Sequence, residues 1–349
     1  MLNFEDVTLE QIIVHRVGNK LNEEELVLSE SSMQLGEELI QNLLTKYFLT
    51  AFKSNQFYNF SPPDNLEDNY VFTTVRAVFQ DSSQFEVKSK ELATHLYNQS
   101  NHPNIKSGEF YLVHFLDLVV EGEFVDAIGL FKSENKDTFL KVYQTGTNLE
   151  IEHEDGININ RLDKGCIVLN TEMDAGYKVC LVDNSSKNNE TARYWKSDFL
   201  QLEERKDDFY HTHNYLNLCK TFADEVCNSE NDIDKVTKAD ILNKTVSYFK
   251  ENDSFAEEEF EQKVFNDQKI VDAFQDYKDK FVQESGAEGM GEFDINPDAV
   301  KGSQKFFKSV LKLDKNFHVY VHGNRERIEK GFDQQKGLNF YKLFYDNEK

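Results

Sequence analysis

Four lysines carry the most specific chemistry that the sequence offers. Lys301, Lys305, Lys308 and Lys312 follow one another at intervals of four, three and four residues. On a single helix begun at Asn296-Pro297-Asp298 they would fall within about 60° of one another. Four ammonium groups on so narrow a face could each neutralise a phosphate, and Arg325, Arg327 and Lys330 in the adjacent loop could extend the patch. The plainer reading is a solvated lysine face on a helix that buries Val300, Phe306, Phe307, Val310 and Leu311 on its other side. A charged stripe more often marks only solvent, and what speaks for phosphate binding is contrast, because this stripe holds almost no acid in a very acidic chain.

Other reactive side chains are less well placed. His211 and His213 are two apart, so on a helix they diverge and cannot chelate one ion. His211, Tyr215 and Cys219 share a helical face but lack a carboxylate, which makes a weak metal set. His318, Tyr320 and His322 alternate onto one strand face, the pattern of an aromatic cluster more often than of a ligand set. Asp81 with Glu86-Val87-Lys88 loosely matches the acid-plus-ExK pattern by which nucleases hold Mg²⁺ and activate water. The segment reads as helix, however, and not as the paired strands that such a site uses. GxxxxGK[ST], GxGxxG after a strand, GxSxG and HExxH do not occur. Gly286, Gly289 and Gly291 lack the lysine and the preceding strand that phosphate cradling needs. No catalytic residue, metal or cofactor is therefore expected. Cys166, Cys180, Cys219 and Cys227 form no CxxC pair and read as buried thiols of a reducing cytoplasm.

The bulk charge narrows the possibilities further. Among 349 residues, 39 are Lys or Arg and 63 are Asp or Glu, a net charge of −24. That excludes a histone-like polycation. With 39% hydrophobic and 13% aromatic residues, the chain has ample material for packed cores. The start, Met1 to Asp6, carries no basic region, so no signal peptide is expected. Phe110 to Val120, the most apolar stretch, is interrupted by His114 and Asp117 and falls far short of the ~20 residues of a membrane span. The charge is unevenly spread. Residues 301–349 hold 11 basic and 6 acidic side chains, a net of +5, which leaves −29 on the first 300.

The elements that must position these residues suggest an α+β fold in three parts. Residues 1–185 read as a mixed α/β-meander domain. It opens with a strand at Gln11–Val17, and a Ser31-to-Gln34 capping box introduces an amphipathic helix over 35–52. Helices at about 68–80 and 87–99 come next. Strands at Phe110–Val120, Phe124–Lys132 and Thr138–Tyr143 form the meander, with shorter ones at Leu149–Glu152, Cys166–Asn170 and Tyr177–Val182. Asn184 to Glu190 is a polar linker. Residues 190–290 read as an acidic helical bundle, with one long helix from near Trp195 to Cys227 and others near 235–251, 255–265 and 267–284. Between 230 and 300 there are 19 acidic and 8 basic residues, a surface suited to a basic protein partner. Residues 293–349 read as the basic helix plus a small antiparallel β-meander, with strands at Phe317–His322, Arg327–Asp333 and Asn339–Tyr345.

Several of these segments, in this order, resemble the bacterial nucleoid-associated protein family of the NdpA/YejK type. They are Ile12-Ile13-Val14-His15, then Phe124 to Lys132 (FVDAIGLFK), then Arg161-Leu162-Asp163-Lys164-Gly165-Cys166-Ile167. Tyr194-Trp195 leading to Phe199 and Phe209 follows, and the Phe317–Tyr345 strands complete the set. The resemblance implies a cytoplasmic protein of the nucleoid with DNA as its partner, no cofactor and no enzymatic activity. It supplies no site residues, so the lysine stripe rests on spacing alone. Phosphate contacts with little sequence specificity would be its physical form. An acidic interaction scaffold recruited indirectly to the nucleoid, or a metal-dependent nuclease, are the alternatives.

Overall fold

A computed structural model describes the chain apart from residues 1, 5–6, 54–55, 63, 121, 185–192, 229–230, 232, 288, 308–309, 322–326 and 348–349. Its contacts divide it into two units, Met1–Arg205 and Lys206–Lys349. With 17 strands and eight α-helices among the described residues, and antiparallel pairing throughout, the α+β class is the observed one.

The first unit is built on a mixed-length antiparallel sheet. Its strands are β1 (Leu2–Asn3), β2 (Thr8–Val17), β3 (Leu26–Val27), β4 (Tyr58–Phe60), β5 (Gly108–Val120) and β6 (Glu123–Ser133). After β7 (Asp137–Thr145) and β8 (Asn148–Gly156), which stand apart, come β9 (Lys164–Leu169), β10 (Lys178–Asp183) and β11 (Leu202–Glu204). The order is β11-β4-β10-β9-β6-β5-β2-β3, with β1 also on β5. Side chains alternate between faces with period two. Phe110, Leu112, Ile128, Leu130, Cys166 and Val168 therefore line one core, and Tyr111, Val113, Phe115, Phe131 and Ile167 line the other. Helices α2 (Tyr70–Gln80) and α3 (Phe85–Gln99) cover the first face, and α1 (Glu38–Leu49) covers the second. The ring of Phe48 on α1 stacks on Phe131 at 4.3 Å.

Three expectations need correction here. The Ser31-to-Gln34 capping box is not formed. Ser32 N–H donates instead to Glu86 Oε1 at 2.7 Å and Met33 N–H to Ile12 O at 2.8 Å, so the helix begins only at Glu38. Its first turns leave Leu39 and Ile40 exposed, while Tyr47, Phe48 and Leu49 are buried. Second, Thr138–Tyr143 is not the third strand of a meander. β6 pairs with β9, and β7 pairs only with β8 as a separate two-stranded arm. The physical reason is composition: β9 (KGCIVL) is buried on both faces, as an interior strand must be, whereas β7 and β8 alternate apolar with charged residues. Third, no helix runs from Trp195 to Cys227. Tyr194–Leu200 forms a π-helical turn that buries Trp195 and Phe199, Gln201 turns the chain at φ 53°, and β11 joins the sheet edge.

In the second unit the helices are α4 (Asp208–Glu225), α5 (Lys235–Glu251), α6 (Glu257–Val264) and α7 (Gln268–Ser285). Three start at aspartate N-caps: Asp207 accepts from Tyr210 N–H, Asp234 from Thr237 N–H and Asp267 from Lys269 N–H. Part of the acidic composition is thus spent on helix starts, where carboxylates also meet the positive end of the dipole. Strands β12 (Ser254–Ala256) and β13 (Glu292–Asp294) pair Phe255 with Phe293. Around them Tyr215, Phe222, Phe249, Phe260 and Phe274 close an aromatic core, with Tyr215 and Phe255 centroids 4.2 Å apart. The chain ends in α8 (Pro297–Ser303) and two separate ribbons, β14 (Val310–Leu313) with β15 (Phe317–Tyr320) and β16 (Ile328–Asp333) with β17 (Leu338–Leu343). Leu311, Val321, Ile328 and Tyr341 of these ribbons gather on Val236 and Ala239 of α5.

Candidate nucleic-acid interface

The start of α8 is as its residues demand. Asn296 Oδ1 accepts from the backbone N–H of Asp298 and Ala299 at 3.0 and 3.2 Å, and Pro297 takes the first helical position. The helix does not continue to Lys312. It ends at Ser303, a 3₁₀ turn covers Gln304–Phe306, and Val310 to Leu313 are already extended. Gly302 and Ser303 are weak helix formers. Beyond them, Phe307 is buried in the helical core, and the strand places Leu311 in the cluster on α5. The four lysines therefore do not share one helical face. Lys301 lies on α8, Lys305 on the 3₁₀ turn and Lys312 on β14, while Lys308 falls outside the described residues, as do Arg325 and His322.

The cations of the segment stand instead on separate elements. Lys301, Lys305 and Lys330 are exposed, and among the described residues none has a carboxylate within ion-pair distance. Lys315, in the turn between β14 and β15, has the same environment and was not among the expected residues. Arg327 is instead tied to Asp346 at 2.6 Å. Exposed rings belong to the same segment. Phe306, Phe317, Tyr320, Phe332 and Tyr345 are each more than half exposed. Lys305 Nζ sits 4.9 Å from the Phe306 centroid and Lys342 Nζ 4.9 Å from that of Phe344. Exposed rings interleaved with cations are the side chains that nucleic acids engage, through phosphate charge and base stacking. Periodicity places Phe306 on the buried side of a helix and Tyr320 in an aromatic cluster, because spacing does not show that a short ribbon has a covering on only one side.

Three of the segments behind the family resemblance, those ending at Lys132, holding Asp163-Lys164 and starting at Tyr194, meet elsewhere, in a buried network at the foot of the β7–β8 arm. Lys132 Nζ, fully buried, donates to Lys106 O at 2.7 Å and Tyr194 Oη at 3.2 Å, and pairs with Glu134 at 3.2 Å. Tyr194 Oη in turn donates to Glu134 Oε1 at 2.5 Å. Lys164 Nζ pairs with Asp183 at 2.8 Å, and both ammonium groups lie over the Tyr194 ring, at 5.3 and 5.0 Å. Burial lowers the Lys132 pKa, with Glu134 opposing it, and burial raises that of Tyr194 well above the usual phenol range. Asp163, also buried, accepts from the backbone N–H of Glu134 and Asn135 at 2.7 and 2.8 Å and from Asn135 Nδ2 at 2.7 Å. These bonds fix the chain where it leaves the sheet for the arm. Nothing in the spacing of single residues signals that network, which is assembled from five separate segments.

The remaining candidates are committed locally. Asp81 caps the turn at Ser83, and its bonds from Ser83 and Gln84 hold its carboxyl below the usual range. Glu86 is held low by the Ser32 N–H, and Lys88 pairs with Glu91 at 2.9 Å. His211 packs 5.7 Å from Phe293, and His213 stacks on Phe209 at 6.1 Å. All four cysteines are buried, and burial raises the thiol pKa of Cys180 to about 12 and of Cys227 to about 11, far from thiolate reactivity. Among the described residues no three His, Cys, Asp or Glu side chains are grouped to hold a metal, and no helix is long and apolar enough to cross a membrane.

Fold and composition together define an α+β protein of uneven charge, −29 on the first 300 residues and +5 on a carboxy-terminal segment that carries exposed lysines and exposed rings. The chain belongs to the nucleoid-associated protein YejK family, whose model matches residues 13–346. Its general role is accordingly that of a nucleoid-associated protein. Curated proteins contain no match to it.

Proposed function

We propose that the chain contacts DNA directly, without enzymatic chemistry, through the lysines of its carboxy-terminal segment. The supporting observation is the charge balance within the second unit: residues 301–349 hold 11 basic against 6 acidic side chains, whereas 230–300 hold 8 against 19. On the acidic helices Lys220 and Lys238 pair with Asp224, Lys244 with Asp240, Lys263 with Glu259 and Lys278 with Glu257, although Lys250, Lys269 and Lys280 there are exposed with no carboxylate within ion-pair distance among the described residues. Lys301, Lys305, Lys315 and Lys330 have no such partner among the described residues and project into water. Lys308, Lys312 and Arg325 belong to the same segment, and Arg327 would have to leave Asp346 to join them. The contacts are to phosphates, so the binding is weakly sequence-specific. At the ~8 Å screening length of physiological salt, distant carboxylates do not cancel this local charge.

Replacing Lys301, Lys305 and Lys330 together with Glu tests the proposal. All three are exposed, so the fold should be retained, as circular dichroism would show. Retention on duplex DNA near 0.1 M salt should fall by at least roughly tenfold. Unchanged retention in the folded variant would contradict it.

A further inference from the structure

The β7–β8 arm is a pair of nine-residue strands joined by a two-residue turn, in which Gly146 (φ 63°) takes the first position, as a type II′ turn requires. The register sorts its side chains cleanly. One face carries the opposed pairs Phe139–Glu154, Lys141–Glu152 and Tyr143–Glu150. There Lys141 bridges Glu152 and Glu154 at 3.2 and 2.9 Å, and Tyr143 Oη donates to Glu150 at 3.2 Å. The other face carries Leu140–His153, Val142–Ile151 and Gln144–Leu149, with Thr138 donating to Asp155 at its base. Its apolar members are open to solvent: Leu140 is 75% exposed, Leu149 74%, Ile151 67% and Val142 60%.

A lone two-stranded ribbon is marginal in water, and a contiguous apolar patch of this kind marks an interaction surface. We infer that the apolar face of the arm packs against the same face of a second copy of the chain. Charge restricts the occupant. The arm holds Asp137, Glu150, Glu152, Glu154 and Asp155 against Lys141 alone, which repels nucleic acid. Shape favours a copy of itself. Across the central Val142–Ile151 pair, Leu140 lies diagonal to Leu149 and His153 diagonal to Gln144, so the face has an approximate two-fold of its own. A second arm turned onto it presents the same pattern, as an isologous interface requires, and directs both rows of glutamates outward. Each face is roughly 30 Å long and roughly 10 Å wide, which places the pair below the ~1,200 Å² of a standard specific interface. The association is therefore weak and reversible.

Face-selective cross-linking of the full chain tests this. Val142→Cys and Ile151→Cys should form disulfide-linked dimers on mild oxidation, at least roughly tenfold more than Glu152→Cys on the acidic face. The four native cysteines are buried and stay out of the reaction. In sedimentation, the unmodified protein should shift from monomer to dimer as its concentration rises into the micromolar range, and Val142→Lys with Ile151→Lys should abolish the shift. Equal cross-linking from both faces, or a wild-type monomer at every concentration, would overturn the inference. Should the lysine variant fail to fold, the single-cysteine comparison still decides.

Discussion

Two kinds of β-ribbon leave the cores of this molecule, and they differ in what their outer surfaces hold. The arm of the first unit, β7–β8, sets one lysine among five carboxylates on 137–156 and gathers its apolar side chains on the opposite face. The ribbons of the second unit mix exposed rings with lysines, and two of those lysines, Lys315 and Lys330, have no carboxylate within ion-pair distance among the described residues. The same local architecture thus carries a strongly acidic surface in one place and, under the proposed function, a phosphate-binding one in the other. Backbone pairing alone therefore says nothing about the partner of a ribbon; the register and the charge on each face do.

The largest effect is expected where the acidic arm is anchored. Asp163→Ala removes a buried acceptor from two backbone N–H groups and one amide and should destabilise the first unit by about 2–4 kcal/mol in urea unfolding. Hydrogen exchange should quicken through 134–156, while DNA affinity is unchanged. A drop in DNA affinity would break the division of labour between the ribbons. A smaller effect is expected from inverting the arm's charge. Glu150, Glu152 and Glu154 replaced together by Lys should raise DNA affinity a few-fold at low salt, an increase that disappears at high salt. No gain would mean that charge does not distinguish the two surfaces.

Much of the fold was legible in the sequence. The period-two strands from Phe110 to Val182, the helices near 70–80, 85–99, 235–251 and 268–285, and the Asn296-Pro297 helix start all stand where the residues indicated. The misreadings have a common cause, which is that local pattern competes with tertiary partners. Leu39 and Ile40 extend a helical face that the sheet does not reach. The Ser32 N–H is taken by Glu86, 54 residues away, in place of the helix start that Ser31 would cap. The lysine spacing at 301–312 fits one helix, but burial of Phe307 and Leu311 bends that segment into a turn and a strand. Of the candidate interface, its place in the chain and its charge were readable. Its exposed rings were not, since a single sequence does not separate an aromatic that packs inward from one that faces water. The Lys132–Lys164–Tyr194 network was equally hidden, because buried ammonium groups look like surface lysines until their partners are known.

The central claim is that a few unpaired lysines of the carboxy-terminal segment, and not the acidic body, meet DNA. A salt-resolved titration of the full chain with duplex DNA tests it most directly. With Lys301, Lys305, Lys315 and Lys330 each replacing a counterion, log K should fall against log[salt] with a slope of about −3 to −4, and each lysine removed should lessen the slope by about 0.9. A slope near zero, or one unaltered when these lysines are replaced, would contradict the account.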